Sequence, residues 1–465
     1  MGTESFKGAL LSTLIIASLV SPLLLISAKA AWGQEIGWIR QFGTFANDYT
    51  TDVAVDASGN VYVAGETVGA LPGQSSSGGS DVFVRKYDGS GSELWTRQFG
   101  TFANDHATDV AVDASGNVYV AGYTGGALPG QSSLGSDDAF IRKYDGSGNE
   151  LWTKQFGTST YDYAESVAVD ASGNIYVAGE TLGVLPGQTS SGGIDAFVRK
   201  YDGSGSEIWT KQFGTSTYVS IWRVAVDASG NVYVAGETKG ALPGQTSSGD
   251  WDVFVRKYDG SGNELWTKQF GTSDNDYAPG VAVDASGNVY AAGYTGGALP
   301  GQSSPGGGDA FVRKYDGSGN ELWTRQFGTS DYDYAESVAV DASGNVYVAG
   351  LTSGVLPRQT SSGGGDAFVR KYDGSGSELW TMQFGTSTYD EAYDVAVDTF
   401  DNVYVAGQTY GALPGQTSSG DGDAFLVKFV QPTPVGGTAL PAPWIILAAL
   451  IAIAAASVAV YWRRR

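Results

Sequence analysis

The sequence predicts an all-β fold, a closed ring of seven four-stranded blades. Three observations carry that prediction. First, Gln-Phe-Gly-Thr begins at Gln41, Gln98, Gln155, Gln212, Gln269, Gln326 and Gln383, a constant step of 57 residues. Second, each step holds four short runs rich in Val, Tyr, Phe and Trp, bounded by Gly, Asn, Asp or Ser; runs of this kind form strands and turns. Third, the ends are offset. The chain leads with an isolated copy of the fourth run, Gly37–Phe42, and its last unit stops at the third, Ala424–Phe429.

The strands of the first unit are expected over Asp52–Asp56, Val61–Thr67, Val82–Tyr87 and Leu94–Phe99. Asp56-Ala-Ser-Gly-Asn60 and Asp88-Gly-Ser-Gly-Ser92 read as tight hairpin turns, because Gly and Asn adopt positive φ cheaply and Asp accepts backbone N–H groups. The unit is therefore an antiparallel meander. Val53 and Val55 lie on one face of the inner strand and Ala54 on the other, so a blade packed between two neighbours is expected. A radial array also protects sheet edges. The leading segment can complete the last blade as its outer strand, an offset that a linear solenoid with capping repeats does not need.

The repeating run Asp-Ala-Phe-Val-Arg-Lys-Tyr-Asp-Gly-Ser-Gly-Asn-Glu-Leu-Trp-Thr-Lys-Gln-Phe-Gly-Thr, followed by Val-Ala-Val-Asp-Ala-Ser-Gly-Asn-Val-Tyr-Val-Ala-Gly, resembles the SBBP β-propeller repeat and, more distantly, NHL-type repeats. The resemblance covers residues 36–430. It implies the propeller fold and says little about function, since propellers host many activities.

The flanks read as targeting segments. Residues 1–30 resemble a secretory signal, with Lys7, an apolar run Ala9–Ile26 and the small-x-small site Ala28-Lys29-Ala30; an uncleaved anchor is the alternative. Residues 431–442 form a Pro/Gly-rich stalk. Residues 443–462 are almost wholly apolar and long enough to cross a bilayer, with Trp444 and Trp462 at the two ends. Arg463, Arg464 and Arg465 form a basic tail expected in the cytoplasm. Together these predict a single-pass protein of a prokaryotic cell surface with the ring outside. The terminal segment resembles surface-protein sorting signals, so removal by a sortase-like enzyme is the alternative to a permanent membrane anchor.

The 465-residue chain carries 27 Lys+Arg against 49 Asp+Glu, a net charge of −22. Such a surface repels phosphates and argues against nucleic acid. The chain has no cysteine and one histidine, His106. That leaves no disulfide, thiolate nucleophile, histidine triad or zinc centre.

Candidate sites fall on the long loops, Gly43–Thr51 and Val68–Ser80 in the first unit, which share one face. Asp48, Asp105, Asp162, Asp276, Asp333 and Asp390 recur in the first loop, often beside Tyr49, Tyr163, Tyr277 or Tyr334. Oxygen-rich loops suit Ca2+. The competing reading is that each Asp caps its own loop and each Tyr packs between blades. The repetition breaks in the fourth copy, where Val219 replaces the Asp and Trp222, Arg223, Lys239, Asp250 and Trp251 appear. Two tryptophans beside polar donors make a platform for a glycan or flexible peptide; drift, with Trp222 filling space, is the alternative.

The preferred function is a surface binding module for a polysaccharide, envelope component or protein. The alternatives are a structural or adhesion scaffold and a lyase or hydrolase. An enzyme is expected to show converging carboxylates of raised pKa at the channel mouth, a binding module an asymmetric patch, a spacer neither. The near-identity of the copies weighs against an enzyme.

Overall fold

A computed structural model describes residues 34–431. The signal segment, most of the stalk, the apolar C-terminal segment and the basic tail lie outside the described residues. Among the described residues, no helix is long and apolar enough to cross a membrane.

The described residues form twenty-eight strands in seven antiparallel four-stranded sheets. In the first blade these are β2 (Asp48–Val55), β3 (Val61–Thr67), β4 (Asp81–Tyr87) and β5 (Glu93–Phe99). The last blade combines β26 (Asp390–Val397), β27 (Val403–Thr409) and β28 (Asp423–Val430) with the leading strand β1 (Glu35–Phe42). β1 pairs antiparallel with β28 from Glu35 opposite Val430 to Phe42 opposite Ala424. The ring therefore closes through the offset ends, as the sequence predicts.

Packing repeats the same closure. Each core is shared by two neighbouring blades: Tyr62, Ala64, Val82 and Val84 of the first blade pack with Val118, Val120, Phe140 and Tyr144 of the second. Across the seam, Val61, Val63 and Phe83 pack with Tyr404, Ala406, Ala424 and Leu426, and Trp38 and Phe42 lie against the same cluster. Outer-strand tryptophans tie blades together, through indole hydrogen bonds at Trp38, Trp95, Trp209, Trp266 and Trp323. Trp95 Nε1 donates to the Gly146 carbonyl at 3.2 Å, and Trp38 Nε1 donates to Gly89 O at the same distance across the seam. Lys86 and Lys428 add ammonium bonds to those same two carbonyls.

Two strand details differ from expectation. The inner strand starts four residues early, at Asp48 rather than Asp52, because Asp48 N already donates to Gly422 O of the neighbouring blade. The strands buried along their whole length are the second and third, β3 and β4. The inner strand is only half buried because it lines the channel.

Each inner strand also carries a β-bulge. In β2 the register slips between Thr50 and Asp52, and equivalent slips occur in the other six blades. A bulge bends its strand and leaves one residue unpaired. The glycine of Val-Ala-Gly opposite makes room for it. A Cβ on Gly65 would stand 2.0 Å from the Tyr49 carbonyl oxygen, and one on Gly236 1.9 Å from that of Ser220.

Candidate functional site

The bulge residues Thr51, Thr108, Glu165, Trp222, Pro279, Glu336 and Tyr393 stand in one column of the 57-residue register. All seven line either the channel mouth or its side chamber. The mouth is a funnel of about 650 Å3 that opens on the long-loop face. A chamber of about 310 Å3 branches from it, walled by Trp222, Tyr277, Tyr294, Tyr334, Glu237 and Glu336.

The next column, one residue further along each inner strand, closes the floor. It reads Asp52, Asp109, Ser166, Arg223, Gly280, Ser337 and Asp394. Arg223 reaches across the channel to Asp52 at 2.5 Å, Asp109 at 3.1 Å and Asp394 at 3.2 Å, joining the fourth blade to the first, second and seventh. The same aspartates stitch neighbouring blades. Val110 N donates to Asp52 Oδ2 at 2.9 Å, Val167 N to Asp109 Oδ2 at 2.8 Å and Val53 N to Asp394 Oδ2 at 3.1 Å. Desolvation, with repulsion from Asp394, pushes Asp52 up to about 6 against the pull of Arg223. Burial also raises Asp109 and Asp394. Desolvation works against the Arg223 charge, and the three aspartates outweigh it.

Above this floor the walls are acidic and aromatic. Burial, with repulsion from Glu180 and Glu237, pushes Glu165 up to about 8. Burial and Glu391 push Glu336 up to about 8, opposed by Arg223. Glu237 is also pushed up to about 8 by burial, although it accepts a hydrogen bond from Trp222 Nε1. Among the described residues, neither Glu165 nor Glu336 has a hydrogen-bond or ion-pair partner, and Arg223, paired with the floor aspartates, acts on Glu336 only at a distance. On the far wall Glu66 holds His106 at 2.7 Å, raising the imidazole pKa against the cost of burial.

The fourth-copy residues divide between two places. Trp222 and Arg223 stand in the channel. Lys239, Asp250 and Trp251 stand on the rim, where Lys239 pairs with Asp250 at 3.1 Å and its ammonium lies 5.8 Å from the Trp251 ring centre. The expected single platform is therefore corrected to a rim patch and a channel patch, because the bulge turns Trp222 inward. Tyr277 links them, 6.4 Å from Trp251 and within the side chamber.

The expectation that Asp48, Asp105, Asp162, Asp276, Asp333 and Asp390 are loop carboxylates is also corrected. Each is the fully buried first residue of an inner strand. Each caps its own turn: Thr44 N and Oγ1 donate to Asp48 Oδ2 at 2.5 and 2.9 Å, and Thr386 N donates to Asp390 Oδ2 at 2.6 Å. Among the described residues, no group of three or more metal-ligating side chains has the geometry to hold an ion.

Glu165, Glu237 and Glu336, and the floor aspartates, were not singled out from the sequence. The signal for them is the aligned variation. The bulge column, the floor column and the column of Glu66, Tyr123, Glu180, Glu237, Tyr294, Leu351 and Gln408 change type from copy to copy, while flanking residues hardly change.

Fold and site together define a seven-bladed β-propeller with a ligand-sized funnel in its mouth. The chain belongs to the SBBP beta-propeller repeat family, whose profile matches residues 37–71, 94–129, 151–186, 208–243, 265–300, 322–357 and 379–414, more than half of the chain. It is 28% identical over 346 residues to "Regulatory protein FlaEY" of Caulobacter vibrioides, covering 70% of this chain and 33% of that protein. It is 24% identical over 443 residues to "Uncharacterized WD repeat-containing protein L264" of Acanthamoeba polyphaga mimivirus, covering 73% of this chain and 32% of that one. The chain thus spans about a third of the length of these relatives. Among solved structures it is similar to the WD40 beta propeller domain of Doa1, with a TM-score of 0.50 and 13% identity over 86% of this chain and 97% of the other. That likeness concerns the fold alone.

Proposed function

We propose that this propeller is an interaction module of a prokaryotic cell surface, exported by residues 1–30 and held by residues 443–462, and that its ligand seats in the channel funnel. The observation that carries this reading is the asymmetry of the mouth. Near-identical blades present different side chains where they converge, as they do on parts of the long loops, and at the axis they enclose a cavity of ligand size. The name of the Caulobacter relative, a regulatory protein, accords with an interaction role. A plain spacer has no need of such a funnel.

Titration of the full chain against a panel of glycans, envelope polymers and peptides tests the reading. Binding that weakens at least tenfold in Trp222→Ala, with folding intact, is the expected result. Binding that Trp222→Ala leaves unchanged removes the funnel from the function. Cell fractionation, with and without residues 443–462, tests the anchor: the ring is expected in the membrane fraction only when they are present.

The carboxyls of Glu165, Glu237 and Glu336 favour a second reading, a lyase or hydrolase, because acids held near neutral pH suit proton transfer. Turnover of a polysaccharide by the full chain, lost in Glu336→Gln, would select it over simple binding.

A further inference from the structure

Resting on the funnel as the binding site, we propose that its side chamber receives an alkylammonium group, so that the ligand is an amine-bearing molecule rather than a neutral or acidic one. The chamber is lined by aromatic and acidic side chains. Trp222, Tyr277, Tyr294 and Tyr334 wall about 310 Å3 together with Glu237 and Glu336. The rings are arranged as a continuous set, with Tyr277 to Tyr294 at 5.9 Å and Tyr294 to Tyr334 at 4.6 Å, both stacked pairs. The stack runs on to Tyr332, 6.3 Å from Tyr334, while Trp222 is 41% exposed; a ring face left open attracts a cation.

The polar groups of the chamber point the same way. Glu237 is only 5% exposed. Its Oε2 accepts from Trp222 Nε1, and its Oε1 has no hydrogen-bond partner among the described residues. Glu336 has none on either oxygen. These oxygens face the chamber with no donor from the described residues, so an ammonium group entering it can bond to both carboxyls. The protein does not supply that positive charge. The Arg223 guanidinium is shared by three aspartates below, and Lys239 is held by Asp250 at the rim. With Glu237 and Glu336 pushed up to about 8, these carboxyls hold protons at neutral pH, and neither a neutral sugar nor an anion favours their ionisation. An ammonium group fits both the rings and the free oxygens. Its arrival stabilises the ionised glutamates, so protons leave the carboxyls as it binds.

Calorimetry on the full chain tests this with three probes: a glucosamine oligomer, its fully N-acetylated counterpart, and spermidine. The two amines separate a sugar-borne from an aliphatic source of the ammonium group. At least one is expected to bind, to release protons to the buffer, and to lose tenfold or more in affinity in Glu237→Gln/Glu336→Gln. That variant keeps side-chain shape, and a single cooperative melt shows that it folds. Equal binding of the acetylated oligomer, abolished by Trp222→Ala, would overturn the ammonium inference and leave the funnel reading standing. Failure of both amines to bind, or binding indifferent to the double variant, overturns the inference as well; the panel titration then judges the funnel separately.

Discussion

Arg223 is the residue on which the channel turns. One guanidinium bridges carboxyl groups from three blades, and removing one partner of a buried ion cluster strands the others. Arg223→Met is expected to lower unfolding stability by about 3–5 kcal/mol, nearer the lower figure because the channel admits water. Urea denaturation at pH 7.5 measures it. At pH 5 the loss should shrink, because Asp52, pushed up to about 6, then carries a proton, and burial raises Asp109 and Asp394 in the same direction. The funnel glutamates have a related consequence. A carboxyl whose pKa rises from 4.5 to about 8 on folding, as for Glu165, Glu237 and Glu336, binds more protons folded than unfolded. Stability must then fall as pH rises through that window. The turn aspartates such as Asp56 and Asp113 shift the other way, their hydrogen bonds outweighing burial, and their stabilisation is lost as pH falls below 3.8. The thermal midpoint should therefore be higher at pH 5 than at pH 8. Glu165→Gln/Glu336→Gln should flatten that slope; an unchanged slope would show that these carboxyls ionise freely.

Among elements, the bulged inner strand decides what the channel presents. The glycine facing each bulge is a steric requirement, since a Cβ on Gly236 would meet the Ser220 carbonyl at 1.9 Å and the Ile221 Cα at 2.9 Å. Gly236→Ala should destabilise by about 1–3 kcal/mol, the range for overpacking, and displace Trp222; its indole fluorescence reports the shift. The turn Asp56–Asn60 shows the complementary rule. Gly59 has φ +79°, and the last blade places Asp401 there at φ 61°, a conformation that Asp tolerates better than most residues. The six aspartates that open inner strands are buried and each gives a carboxyl oxygen to its own threonine, so calcium is expected to leave the thermal midpoint unchanged. A rise in midpoint with added calcium would instead identify them as ligands.

How much was legible in the sequence follows from these elements. Strand count, turn types and the latch were readable, because period and turn chemistry are local properties. The start of the inner strand was not, since Asp48 is held there by a backbone bond to the neighbouring blade. The channel site was half visible. Trp222 and Arg223 announced themselves by breaking a pattern, whereas Glu165 and Glu336 sit in the less unusual Ala-Glu-Ser. Only the bulge, a feature of paired strands, turns the two pairs toward the same point.

At the scale of the whole molecule, the ring brings residues 171 positions apart, Asp52 and Arg223 among them, to one centre. A symmetric ring of repeats has no preferred site. Here the blades stay alike where they pack on each other and differ where they meet on the axis, so stability and recognition occupy different columns of one repeat. Everything at the axis depends on closure. Without β1 the last blade exposes the edge of β28, and exposed edges invite association. A chain lacking residues 35–42 should therefore aggregate and lose the cooperativity of its melt.

Hydrogen exchange of the intact chain, read by mass spectrometry over residues 35–42, tests closure most directly. The amides of β1 should be protected as strongly as those of the outer strand Glu93–Phe99, and in step with Asp423–Val430. Fast exchange across residues 35–42 beside slow exchange in every other outer strand would mean an open ring, and the funnel would then have no fixed floor.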